Sequence, residues 1–197
     1  MMVRSKKIAT PKPLRGSEDL PALAGRGSQM IVIGVDPGTK CGWAVLKKNR
    51  GGVSLLDSGV WELKRAKGGA GARFLMVRKN LLDTIRTYEW CLADAANGSD
   101  TSLVVAYERP GDLMGEAILV LNGIVAIIEM TCEGRGTGYL ARSPSQVKRA
   151  AGVPGNAPKE VVSEAIERLY PPNLDARGSD ENDAIACALA GLEELSK

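Results

Sequence analysis

Met30-Ile31-Val32-Ile33-Gly34-Val35-Asp36-Pro37-Gly38-Thr39 is the stretch that decides the fold. Its first six residues are apolar or glycine, as in a strand buried on both faces, and Pro37-Gly38 then turns the chain. Asp36 therefore stands where a buried strand reaches the surface, a place where α/β folds gather functional groups. Gly42 to Lys47 and Val53 to Leu63 read as two further strands. The polar link Lys48-Asn49-Arg50-Gly51-Gly52 suits a hairpin between them. The opening is thus a three-strand antiparallel meander.

Phe74, Val77, Leu81, Ile85, Tyr88 and Leu92 follow a three- and four-residue spacing, which predicts a long helix with one apolar face. Leu103 to Tyr107 is a second buried strand, ended by Glu108-Arg109-Pro110-Gly111 much as Asp36-Pro37-Gly38 ends the first. Gly115 to Met130 is apolar on nearly every side and reads as a buried helix. Gly138 to Arg142 reads as a short strand and Pro144 to Ala151 as a short helix. Pro158, in the first turn, opens another helix to Leu169, and Ser179 is the expected N-cap of a last one running to about Ser196. Strand-helix-strand crossovers favour parallel pairing after the antiparallel start. The outline is α/β and ribonuclease-H-like: a mixed five-stranded sheet, made of the meander plus two parallel strands, flanked by helices.

Composition narrows the chemistry. The 197 residues suit one domain with a sizeable core. Residues 1–28 are expected to be a basic, disordered arm, and residues 29–197 the folded domain. Six of the 26 Lys/Arg but only two of the 23 acids lie in that arm, so the net charge of +3 does not make the folded part basic. No run reaches ~18 apolar residues, so a soluble cytoplasmic protein without a membrane partner is expected, or one in the host cytoplasm if the source is viral. Cys41, Cys91, Cys132 and Cys187 form no CxxC pair and read as buried thiols. With no histidine in the chain, serine- or cysteine-histidine catalysis is excluded, leaving carboxylates, lysines or metal.

Four carboxylates meet that requirement. Asp36 and Glu108 end two buried strands, and Asp180 and Asp183, three residues apart, share one face of the last helix with Cβ atoms about 5 to 6 Å apart. Oxygen donors without nitrogen or thiolate suit Mg²⁺, with Mn²⁺ as a substitute. Two such ions about 4 Å apart would stabilise the attacking and leaving oxygens of a phosphodiester. Each acid also has an ordinary role open to it: a turn residue at Asp36, a solvated strand end at Glu108, complements of the helix dipole at Asp180 and Asp183.

Taken together, these blocks resemble the RuvC-type Holliday junction resolvases. The similarity runs from about Met30 to Leu195 through Ile31 to Thr39, Ala106-Tyr107-Glu108 and Asp180-Glu181-Asn182-Asp183-Ala184-Ile185-Ala186. The resemblance implies a magnesium-dependent endodeoxyribonuclease that acts as a homodimer on four-way branched DNA in recombination and repair. In such an enzyme Asp36, Glu108, Asp180 and Asp183 hold the metals. It also implies a role for two lysines near the acids, matched here by Lys148 and Lys159. Both could hold phosphates and offset transition-state charge, with Arg142 and Arg149 extending the DNA-binding patch. Solvated helix lysines are the ordinary alternative. The helix from Gly115 to Met130, with small residues Gly115, Ala117, Gly123 and Ala126, is either a subunit contact or a core helix. The family's aromatic residue after the glutamate has no counterpart in Arg109 to Met114, so stacking at a crossover would fall to Leu113, Met114 or another residue. Two other readings share parts of the pattern: an RNA-processing nuclease of the same fold, and an actin-like or sugar-kinase ATP-binding protein, which Asp36-Pro37-Gly38-Thr39 also resembles.

Overall fold

A computed structural model describes residues 29–63, 68–93, 101–111, 116–172 and 177–197. The expected arm at 1–28, Leu113, Met114 and Gly115 lie outside these residues, as do the side chains of Cys91, Leu92 and Ala117. The order is β1 (Gln29–Asp36), β2 (Lys40–Asn49), β3 (Gly52–Glu62), α1 (Gly69–Ala93), β4 (Thr101–Glu108), α2 (Glu116–Arg135) and β5 (Gly138–Arg142). Helices α3 (Pro144–Ala150), α4 (Lys159–Leu169) and α5 (Ser179–Glu194) follow. One five-stranded sheet, ordered β3-β2-β1-β4-β5, is found among the described residues. β1 pairs antiparallel with β2 and β2 with β3, while β1–β4 and β4–β5 are parallel, as expected from the sequence.

The sheet separates two cores. Val32, Ala44, Leu46, Val104, Ala106 and Leu140 meet α3, α4 and α5 on one face. Ile31, Ile33, Val35, Val45, Val105 and Tyr107 pack with Val77, Leu81, Ile85, Ile124 and Ile128 of α1 and α2 on the other. β1 feeds both cores, which is why its sequence is a continuous apolar run. Cys41, Cys132 and Cys187 are free and buried, as read from their spacing.

Three local expectations need correction. Gly178, not Ser179, caps α5, without a side-chain bond, and Ser179 is already helical. Pro158 stands at the N-cap of α4 rather than within its first turn. α2 is apolar all round but not buried all round: Ile124, Ile128 and Cys132 face the sheet, whereas Leu119 and Met130 are 70% and 68% exposed. An apolar helix signals burial against something, and among the described residues only one side of α2 is covered.

Three glycines set how closely α5 lies on the sheet. A Cβ at Gly42 of β2 would stand 1.8 Å from the carbonyl oxygen of Asp180, and one at Gly34 of β1 would stand 2.1 Å from that of Ala184. Farther along α5, a Cβ at Gly191 would meet Ala106 Cβ at 2.6 Å. The helix backbone therefore rests directly on the strands, and this seating fixes where its first turn ends up.

Candidate active site

Asp36 and Glu108 are neighbours by register. β1 and β4 run parallel with Val35 opposite Tyr107, so the next residue on each strand is one of these acids. Strands alternate their side chains, and Val32 and Ala106 lie on the α5 face, so the period of two puts Asp36 and Glu108 there as well. Asp36 pairs with Gly42, the glycine on which the Asp180 carbonyl rests. The first turn of α5 thus lands beside the end of β1. Carboxylate oxygens of Asp36, Asp180 and Asp183 come within 4.8 Å of one another. Glu108 is outside that tight group but close enough for its charge to act on Asp36.

The electrostatics follow from burying like charges. Burial first, then the charges of Asp183 and Glu108, push the Asp36 carboxyl up to about 8. Burial and Asp183 likewise raise Glu108. Burial raises Asp183 too, and the hydrogen bond and charge of Lys159 only partly offset it. Lys159 Nζ lies 2.6 Å from Asp183 and 3.3 Å from Asp180. Burial works against its ammonium, but bonds and charges from Asp183 and Asp180 outweigh it and hold the lysine above its usual range. A set of clustered oxygen donors whose burial disfavours their charge fits a hard cation, which would replace repulsion by shared attraction.

The basic residues divide. Lys159 joins the acids. Lys148 Nζ donates to the Ala157 carbonyl at 2.6 Å, while its charge still reaches Glu108 and Asp183. Arg149 is exposed on α3. Arg142 does not extend a free basic patch: its guanidinium pairs with Glu194 of α5 at 2.9 Å, and only 11% of the side chain is exposed.

Two polar contacts at the site went unread in the sequence. Ser58 Oγ on β3 donates to Glu181 at 2.8 Å, and Asn182 Nδ2 donates to Glu167 of α4 at 3.1 Å. Glu181 and Asn182 lie between the two acids. A polar residue at a helix position that must face protein is the signal that marks Asn182.

No family model matches the sequence. The proteins named "Crossover junction endodeoxyribonuclease RuvC" from Nitratidesulfovibrio vulgaris and Prochlorococcus marinus do. The first is 27% identical over 174 residues, 85% of this chain and 93% of the relative. The second is 29% identical over 170 residues, 83% and 98% respectively. The chain is similar to RuvC proteins over nearly their full length. Thermus thermophilus RuvC superposes on this RuvC-like chain with a TM-score of 0.65 at 23% identity, covering 82% of this chain and 92% of that one. The same RuvC in complex with a Holliday junction substrate gives 0.63 at 21%. The ribonuclease-H-like architecture is therefore that of RuvC.

Proposed function

We propose that this chain is a structure-selective endonuclease that resolves four-way DNA junctions by metal-dependent phosphodiester hydrolysis. The observation that carries the reading is the convergence of Asp36 from a strand end with Asp180 and Asp183 from one helix face. The likeness to RuvC over nearly the full length of those proteins supports the substrate class. Asp36, Asp180 and Asp183, with Glu108 beside them, would hold Mg²⁺ as two ions, with Mn²⁺ as a substitute. When bound, such cations supply Lewis acidity at the scissile phosphate. The chain's own residues would orient and neutralise: Lys159, which pairs with Asp180 and Asp183, would meet a phosphate oxygen, and Lys148 and Arg149 of α3 would add positive charge for DNA.

Action as a homodimer is part of this proposal. The exposed stripe Leu119, Asn122, Ala126 and Met130 on α2 carries no charge over three turns and offers a surface for a second copy.

The expected outcome is symmetric cutting of a synthetic four-way junction with Mg²⁺ and none with chelator. Asp36→Asn should still bind the junction but cut it at least ~100-fold more slowly. Linear duplex cut as fast as the junction would sink the resolvase reading.

A further inference from the structure

Helix α4 meets the acids along one row of side chains, Lys159, Ser163 and Glu167, each four residues from the next. At one end of the row Lys159 spans Asp180 and Asp183. Two turns on, Glu167 accepts the bond from Asn182 Nδ2. Asn182 has no exposed surface and lies between the two acids in the chain. Its Oδ1 is buried without a hydrogen-bond partner among the described residues, so the bond to Glu167 is the one that satisfies this side chain.

We propose that Asn182 is a positioning residue, which through Glu167 sets the register of α4 on α5 and so keeps the Lys159 ammonium over Asp180 and Asp183. The remaining contacts of α4 with the core come from the apolar side chains of Val162 and Ile166, and apolar contact alone tolerates sliding. A slip of one turn moves a helix by about 5.4 Å, which would carry Lys159 off both carboxylates. A directional bond from a buried amide forbids that slip, because breaking it leaves an amide donor dry and unpaired. Asn182 needs no contact with DNA or metal for this. Its effect on cleavage rests on the nuclease reading above, whereas its effect on Lys159 does not.

The test is a double-mutant cycle with Lys159, read by single-turnover junction cleavage and by the Lys159 ammonium signal in ¹H–¹⁵N spectra of metal-free protein. Asn182→Ala should slow cleavage by roughly tenfold or more, as small misplacements of a reacting group do. It should add nothing in a Lys159→Met background. Glu167→Met, made at the more exposed partner and so usable where Asn182→Ala does not fold, should behave in the same way. Glu167→Gln, which keeps an oxygen acceptor, should restore most of the rate lost in Glu167→Met. In the spectra, the protected ammonium signal of Lys159 should disappear in Asn182→Ala and Glu167→Met. Equal rate losses with and without Lys159, or an unchanged ammonium signal, would overturn the proposal. Loss of the signal in a protein whose wild type cuts no junction would uphold the positioning role and remove the nuclease reading instead.

Discussion

At Asp36 three carboxylates meet with one ammonium, and the sum of their charges decides how the protein responds to pH. The Asp36 carboxyl moves from an ordinary 3.8 up to about 8, first through burial and then through Asp183 and Glu108. Between those values the folded protein holds a proton that the unfolded chain has released, so stability is full below about pH 4 and falls as pH rises toward 8. Glu108 and Asp183 are shifted in the same direction. Lys159, also raised, loses its contribution only above its own range and leaves this window untouched. Melting temperatures in chelator should therefore fall from pH 5 to pH 8, and Mg²⁺ should raise them more at pH 8 than at pH 5.5, since it binds the deprotonated acids. A chelated melting temperature that is flat or rising over that interval would contradict the shift. The four acids were legible because a buried strand that ends in an acid, and two acids three apart on a helix, are patterns local to the chain. The fate of Arg142 was not. Whether a basic residue at a strand end faces solvent or turns to Glu194 depends on a residue more than fifty positions later.

Among the elements, α5 carries the most information about the site. Sequence periodicity marks it as a helix, and its acids are plain. Its height above the sheet is encoded elsewhere, in Gly34 and Gly42 of the strands and in Gly191 of its own buried face. A glycine inside a strand signals close backbone approach, but not which element approaches, so this part became readable only with the fold in hand. The misplaced cap has a related cause: serine is a favoured N-cap, yet the chain enters α5 one residue earlier, at Gly178, where no side chain exists to bond. Gly42→Ala should expose the dependence of site on seating. The added methyl would collide with the Asp180 carbonyl, which is backbone and cannot rotate away. We expect a loss of about 1–3 kcal/mol in stability and metal binding weakened by roughly tenfold or more. Calorimetric titration with Mg²⁺ beside thermal melts would show it. Unaltered metal affinity in the folded variant would mean that the first turn of α5 is held by something other than its contact with β2.

For the whole molecule, strand order and pairing followed from runs and connections, and the described residues form one sheet in the expected order. The outer side of α2 was misread as buried because an apolar helix and a covered helix look alike in sequence. Leu119 and Met130 supply a direct check of the proposed dimer. Sedimentation should give a dimer for wild type and a folded monomer for the Leu119→Glu, Met130→Glu double variant, since neither side chain is in the core, and the variant's melting temperature should no longer depend on protein concentration. A wild type that sediments as a monomer at micromolar concentration would refute it. Finally, β1 and β4 deliver Asp36 and Glu108 early, while Asp180 and Asp183 arrive on α5, after every other described element in chain order. During synthesis the strands therefore emerge with half of the acid set and nothing to complete it. Under the proposed function, a centre divided in this way would be complete only once α5 has docked on Gly34 and Gly42 of the strands.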